Sequence, residues 1–485
     1  MTEVRFTQDD GHPVLEVSGS GARPTAVTLE GPRARVAGRL HGRGRTWRAV
    51  LPLEAARWGG PDLPLPTGDY HLRIDAGEAT DALPPAASLP LTQLGGLRAG
   101  WDDGRLRVGP PVDPAYDSGE GQAALERRYA TSRQPLENAV FFESFYGRTA
   151  GCNPLAIDRE LARVAPGVTR YWSVVDLSVQ VPAGAIAVVE GSPEWWRARA
   201  AARLLVVNDW LRRKFVRKPG QTVLQTWHGT PLKRLALHRP GFDPRRTLAV
   251  LRESRRWDVL LAQSPYAARV LSRAYAFGRR PVWVEGYPRN DVLQGDDGVD
   301  TRRKLGIGAD ERVVLYAPTW RDDRESIVDF IDPAALARAI DGVVLVRGHT
   351  RTLQPGEDAR GARVIDVTGY PDTGRLLAAA DALVTDYSSV MFDYAITGKP
   401  MYFLVPDIEH YRGELRGFYF DLLEAAPGPV VRSQEDLERA LVEVDPDIFR
   451  ERYERFRRVF VAREDGRASE RVVARILDRG FVDRA

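Results

Sequence analysis

The stretch Leu224-Gln-Thr-Trp-His-Gly-Thr-Pro-Leu-Lys-Arg234 runs from an apolar strand into an imidazole, a hydroxyl and a cation between Trp227 and Lys233. Pro231 suits the first position of a helix and Thr230 its cap. The backbone N–H groups of Gly229 and Thr230, with the Lys233 ammonium one turn on, would then favour an anion. His228 at the same turn can take or give a proton near neutral pH. Three more strand ends carry matching pieces. Val343-Val-Leu-Val stops at Arg347-Gly348-His349, where the guanidinium is a forked phosphate donor, the glycine admits close backbone approach and the histidine is a second proton carrier. Leu315-Tyr-Ala ends in Pro318-Thr319-Trp320-Arg321, and Ala382-Leu-Val-Thr385 ends in Asp386-Tyr387-Ser388-Ser389. The paired serines would cap a helix or present hydroxyls and N–H groups to a phosphate, with Asp393 on the next turn near Ser389.

These residue types point to phosphate chemistry managed by His, Arg, Lys and helix ends, and no cofactor is called for. No HExxH or DxD spacing lies near His228 or His349, and the single cysteine, Cys152, excludes a cysteine-cluster zinc site or an internal disulfide. The expected metal set is therefore none. No GxxxxGK[ST] loop and no GxGxxG turn follows a strand, which argues against an NTPase or a dinucleotide oxidoreductase.

The elements that must position these groups read as α/β. From Glu137 onward, apolar runs alternate with amphipathic stretches: Ala139–Glu143, Arg170–Val175, Ala185–Val189, Leu204–Val207, Thr222–Gln225, Val259–Ala262 and Val282–Glu285. A second series comprises Val313–Ala317, Val343–Arg347, Arg363–Asp366, Ala382–Thr385 and Met401–Leu404. Such alternation predicts two doubly wound parallel sheets, which place ligands beyond the carboxyl ends of their strands, in a cleft between halves. The expected division is a β-rich module over 1–110, a linker over 111–136, an N-terminal α/β domain over 137–293 and a C-terminal one over 300–485. The first module has short alternating runs and an Asp103-Gly104 hairpin, which suits a small antiparallel sandwich. It shows no chemical constellation of its own.

The 485 residues suffice for three such domains. Basic and acidic residues nearly balance, 69 against 66, so no polycationic field argues for nucleic acid. Only five of the basic residues are lysines, which makes Lys233 and Lys399 worth notice. The start MTEVRFTQDDGH lacks the basic and apolar regions of a signal peptide, and no run of about 18 apolar residues follows. A soluble, intracellular protein is expected.

Taken together, these motifs resemble the CDP-glycerol glycerophosphotransferase family of teichoic acid polymerases and primases. The resemblance rests on Phe142-Glu-Ser-Phe-Tyr-Gly147 with Asn153-Pro154, the WHGTPLK segment, Gly286-Tyr-Pro-Arg-Asn-Asp291 and Ala317-Pro-Thr-Trp-Arg321. It continues through Arg347-Gly-His349, Asp381–Asp393 and Asp465-Gly-Arg-Ala-Ser-Glu-Arg471, covering about residues 137–478. It implies a GT-B fold of two Rossmann-like domains facing a cleft, and His228 and His349 as the catalytic pair. It places donor contacts on Gly229, Thr230, Pro231, Arg289, Pro318, Thr319, Arg347, Gly348, Ser388, Ser389 and Asp393. The implied donor is CDP-glycerol, a substrate and not a cofactor, and the implied acceptor is a lipid-linked saccharide or growing polymer. A CDP-ribitol donor or another polyol is a neighbouring alternative, as more remotely is a nucleotide-sugar; transfer once or repeatedly stays open, as does which histidine is the base.

A lipid-linked acceptor implies a cytoplasmic protein, peripheral on an anionic membrane surface. The basic, aromatic stretch Trp195-Trp196, Arg199, Arg203, Trp210 and Arg212–Lys218 has a composition that suits such headgroups. The alternative is a solvated helix whose tryptophans pack inside.

Overall fold

The computed structural model describes residues 2–484 apart from 43–44, 76–86, 320–329, 349–359, 362 and 411–416. The N-terminal module holds two antiparallel sheets. One has the order Thr2–Asp9, His12–Ser20, Thr46–Pro52, Arg39–His41; the other runs Leu89–Leu94, Leu97–Asp102, Arg105–Gly109, Gly68–Asp75, Ala26–Glu30, Arg35–Ala37. Alternation sets the inward faces: Tyr70, Leu72 and Ile74 of one strand are buried while their neighbours are exposed. These join Leu15, Val17 and Leu51 of the other sheet in one apolar core. At the Asp103-Gly104 turn both residues have positive φ, 47° and 75°, the geometry that a two-residue hairpin requires. A short ribbon, Glu54–Ala56 paired with Asp62–Pro64, projects from this module with Trp58 near its tip.

Beyond it lie two seven-stranded sheets. The first has the order Ile186–Val189, Thr169–Val174, Glu137–Glu143, Ala202–Val207, Thr222–Gln225, Val259–Ala262, Val282–Val284, all parallel. The second repeats this order with Val364–Asp366, Val343–Val346, Val313–Ala317, Ala382–Thr385, Met401–Leu404 and Val430–Val431, plus Arg360–Gly361 antiparallel at its edge. In both, the chain begins mid-sheet, winds one way and then the other, and leaves a crevice outside the central strand ends. Burial on both faces explains the unbroken apolar runs. Along Glu137–Glu143, Ala139 and Phe141 face one core with Leu125 and Trp195, and Val140 and Phe142 face another with Ile157 and Leu161.

Three local expectations give way. The stretch 111–136 is no plain linker: it carries the helix Gly119–Thr131, capped by the Ser118 hydroxyl, and Leu125 and Tyr129 bury in the first sheet's core. No α-helix follows the WHG turn: the chain bends at His228 and Gly229, runs without regular structure through Pro231 and pairs with the second half at a bridge between Lys233 and Phe418. The aromatic, basic stretch divides: its tryptophan pair points inward, while Arg212, Arg213 and Lys214 are exposed. Trp195, Trp196 and Arg199 are 1%, 3% and 1% exposed, and the Trp195 indole donates to Ser173 Oγ. Lys218 is buried too, its ammonium donating to the carbonyls of Tyr129 and Ser132. Burial takes the Trp195 and Trp196 rings away from any interface, because each removes far more apolar surface from water inside than at one.

The last helix, Ala468–Asp478, leaves the second half and returns to the first. Val472, Val473 and Ile476 complete the core beneath Val140, Phe142 and Leu204. Asp483 then exchanges hydrogen bonds with Asn138 at the start of the first sheet. No helix of the described residues is long and apolar enough to cross a membrane.

Candidate active site

A cavity of about 2170 Å³ lies at the strand ends, between both sheets and the N-terminal module. His228, Arg289, Pro318 and Arg347 line it with Gly348, and Ser388, Ser389 and Asp393 complete that part of its wall. Gly229, Thr230, Pro231, Lys233 and Thr319 are not among the cavity's lining residues. His349, with Trp320 and Arg321, lies outside the described residues.

The His228 ring is set from three sides. It stacks on Trp227 at 4.9 Å between centroids and 18° between planes, and Phe145 lies at 5.5 Å. Its Nδ1 lies 2.6 Å from the carbonyl oxygen of Asn208, at the end of the neighbouring strand. A carbonyl can only accept, so Nδ1 carries a proton, and in the neutral ring the lone pair is on Nε2. That tautomer is the one a general base needs, and Nε2 has no hydrogen-bond partner among the described residues. The turn is held beneath by Asn153, fully buried, whose Nδ2 donates to the carbonyls of Thr226 and Trp227. Four non-glycine residues here have positive φ: Phe145 (46°), Tyr146 (59°), Cys152 (61°) and Trp227 (55°). Each such conformation costs about 1–2 kcal/mol, and together they mark a rim shaped against local preference.

Arg289 and Asp393 join the halves. Arg289 Nη2 donates to Asp393 at 2.6 Å and Nη1 to the His228 carbonyl at 2.7 Å; Nε is buried without a partner. Burial works against this cation, but the adjoining carboxylate outweighs it, so the guanidinium is held charged beyond its ordinary range. Asn290 donates to Asp393 and to Glu464. Glu464 also accepts from the Tyr287 N–H, and burial pushes its carboxyl up to about 8. The segment 286–291 thus meets 464–471. Asp291 caps the final helix through the N–H groups of Ala468 and Ser469, and Arg471 donates to the Glu285 carbonyl. Two motifs read from the sequence meet each other here, as a joint between halves.

Several expected phosphate ligands serve the frame. Arg347 Nη1 donates to the carbonyls of Val367 and Tyr370 and Nη2 to Thr373 Oγ1; burial pulls its pKa down to about 10. Its fork therefore clamps the loop after Val364–Asp366, and the Gly348 N–H is taken by Thr368 Oγ1. The Thr230 hydroxyl donates to Gln263, and the Pro231 carbonyl accepts from Tyr266. The Thr319 N–H donates to Asp386. Gly229 is tight against the second half: a Cβ there would lie 2.9 Å from Ser389 Oγ. Ser388 and Ser389 precede a helix of only five residues, Val390–Tyr394, and Ser389 makes no side-chain cap.

The sequence reading missed Asn208, which sets the tautomer, and the Tyr146–Asp209 hydrogen bond of 2.7 Å on the same rim. Asn208-Asp209 directly follows a buried strand, the same signal that flagged His228. It also missed the module's part in the cavity. Arg33 donates to the buried Asp176, Arg57 to the Ser178 carbonyl, and Trp58 packs edge-on against Tyr370 at 5.3 Å. Among the described residues no group of three His, Cys, Asp or Glu side chains could hold a metal ion.

Residues 128–478 match the family model described as CDP-glycerol:poly(glycerophosphate) glycerophosphotransferase. The chain is 36% identical over 374 residues to the teichoic acid poly(glycerol phosphate) polymerase of Bacillus subtilis (strain 168), covering 70% of this chain and 49% of that protein. It thus spans about half the length of that relative. It is 35% identical over 386 residues to the teichoic acid glycerol-phosphate transferase of Staphylococcus aureus, covering 71% and 94%. A solved structure of the wall teichoic acid polymerase TagF aligns with a TM-score of 0.68 at 30% identity, over 75% of this chain and 94% of that one. The teichoic acid ribitol-phosphate primase of Bacillus spizizenii lies further off, at 26% over 290 residues, covering 56% and 74%.

Proposed function

This chain belongs to the CDP-glycerol:poly(glycerophosphate) glycerophosphotransferase family, and from that premise we propose that it moves glycerol phosphate from CDP-glycerol to a hydroxyl of a lipid-linked glycan or polyol-phosphate chain. The observation that carries the reading is His228, its Nδ1–H fixed on Asn208 and its Nε2 left as a base on a cavity shared by both sheets. The acceptor hydroxyl gives its proton to Nε2 while its oxygen attacks the glycerol-bearing phosphorus. A new P–O bond forms, the pyrophosphate P–O bond breaks, and CMP leaves with the bond's electron pair. Charge on the non-bridging and leaving oxygens needs nearby donors.

Arg289, with its unpartnered Nε, and the hydroxyls of Ser388 and Ser389 are the groups best placed on the wall to supply them. His349 would act as their partner. Arg347, itself on the wall, and Thr230 and Thr319 act by holding the loops that carry these groups. We read the paired sheets as a GT-B architecture, 137–293 on the acceptor side and 300–485 on the donor side, with the β module as a sandwich in front. A peripheral position on the cytoplasmic face of the membrane follows from a lipid-linked acceptor.

The test is incubation with CDP-glycerol, CDP-ribitol and UDP-sugars over a lipid-linked disaccharide, followed by product mass. Glycerol phosphate addition with CMP release is expected, and His228→Ala should lower turnover on the order of 10²-fold or more. Wild-type CMP release by that variant would remove His228 as base, and product from a UDP-sugar alone would overturn the donor class.

A further inference from the structure

The N-terminal module lies outside the family match, which begins at residue 128, yet it supplies one wall of the cavity. That wall is cationic at its mouth. Arg35 and Arg73 line it with side chains 61% and 68% exposed. Both lean on Glu30, Arg35 at 3.4 Å and Arg73 through a hydrogen bond. One carboxylate cannot neutralise two guanidiniums. The register explains the layout: Arg35, Glu30 and His71 stand side by side on three adjoining strands, and Arg73 follows two residues beyond His71 on the same face.

The first α/β half adds Arg148 and Arg159 to the same cavity. Arg148 is exposed and makes no ion pair with a described residue. Among the described residues Arg159 pairs with Asp372 alone, at 4.0 Å, and Arg375 also leans on that carboxylate at 3.7 Å. The anchor points Arg33 to Asp176 and Trp58 to Tyr370 fix this wall to both halves, so the arginines keep a set relation to His228. Exposed guanidiniums that outnumber the carboxylates they lean on suit a ligand with repeated single negative charges, because each fork can take a phosphodiester oxygen pair.

We propose that Arg35 and Arg73 of the module, with Arg148 and Arg159 of the first half, hold the phosphodiester backbone of an acceptor chain while its terminal hydroxyl reaches His228. The inference rests on the transfer reading above and gives the module its ligand, a polyanionic phosphodiester.

The full chain is assayed with CDP-glycerol and two acceptors: one carrying a single glycerol phosphate, the other a defined oligomer of glycerol phosphates. Arg35→Gln with Arg73→Gln should raise KM for the oligomer about tenfold, the size expected of two partly exposed ionic contacts. The kcat, the KM for CDP-glycerol and the KM for the single-unit acceptor should stay unchanged, and the double lysine variant should recover part of the loss. Fluorescence anisotropy of a labelled oligomer reads the same loss without turnover, and its binding should weaken with salt less steeply in the variant. Oligomer binding equal to wild type, or an equal loss on both acceptors, overturns the proposal. Arginine-dependent oligomer binding without any product from CDP-glycerol leaves this wall standing and removes the donor reading instead.

Discussion

Glu464→Gln should stabilise the protein in alkaline solution and change little in acid. In the folded chain Glu464 Oε1 accepts from the Tyr287 N–H at 3.0 Å and from Asn290 at 3.1 Å, and Oε2 is buried without a partner. Burial raises the carboxyl from an ordinary 4.5 to about 8. Below about pH 4.5 the group is neutral whether the chain is folded or not. Between those values the unfolded chain loses the proton and the native one keeps it, so stability falls as pH rises. Above about 8 the native carboxyl ionises too and the fall is complete. A shift of about 3.5 units at 1.36 kcal/mol each sets a ceiling of about 5 kcal/mol for this one group. Glutamine keeps the accepting oxygen and carries no charge, so its stability loses this component of the pH dependence. Urea unfolding of both proteins at several pH values isolates it, because every other titrating group is shared. The two curves should meet near pH 5 and separate by several kcal/mol near pH 8.5, with the variant above. Parallel curves would refute the reasoning. Turnover should follow, since an ionised Glu464 puts a second anion beside Asp393 and strains the hold of Arg289 on the His228 carbonyl.

Two further outcomes follow from the same geometry. Arg347→Lys should lower stability by about 2–4 kcal/mol, because an ammonium cannot reach the carbonyls of Val367 and Tyr370 and the Thr373 hydroxyl together; an unchanged unfolding midpoint with lost turnover would instead put Arg347 on the substrate. Trp195→Ala should cost about 3–5 kcal/mol in unfolding experiments and leave flotation with anionic vesicles as in wild type; lost flotation at unchanged stability would return this stretch to the membrane.

The parallel strands were legible because burial on both faces writes them as short unbroken apolar runs, and Thr222–Gln225, Val259–Ala262 and Ala382–Thr385 fall where those runs do. His228 was legible for a related reason, as a polar residue on the turn leaving such a run. What could not be read was the assignment of each polar group to ligand or frame. Arg347 and Arg289 look alike in sequence, yet one is used up on loop carbonyls and the other bridges the halves through Asp393. That distinction depends on partners well outside each motif, 20 to 26 residues away for Arg347 and 104 for Arg289. The helix expected after Thr230 failed because Pro231 fits extended backbone as well as a first helical turn, and pairing with the second half decided between them. The tryptophans of 195 and 196 misled because charged neighbours disguised a core face; the Arg199 guanidinium lies over the Trp195 ring at 4.8 Å, inside the protein.

The return of Ala468–Asp478 to the first sheet also sets an order of events. While the chain is being synthesised, Phe142, Leu204 and Val140 have their strands long before Val472, Val473 and Ile476 exist to cover them. That face of the earlier half is covered in part by Ile157 and Leu161 of the same half, and the rest of its cover comes only with Ala468–Asp478. The core of that half is closed by a helix from the other, and the same event brings Asp291 its helix to cap and sets the joint beside Arg289. On this connectivity the last part of the first core and the joint beside Arg289 form together.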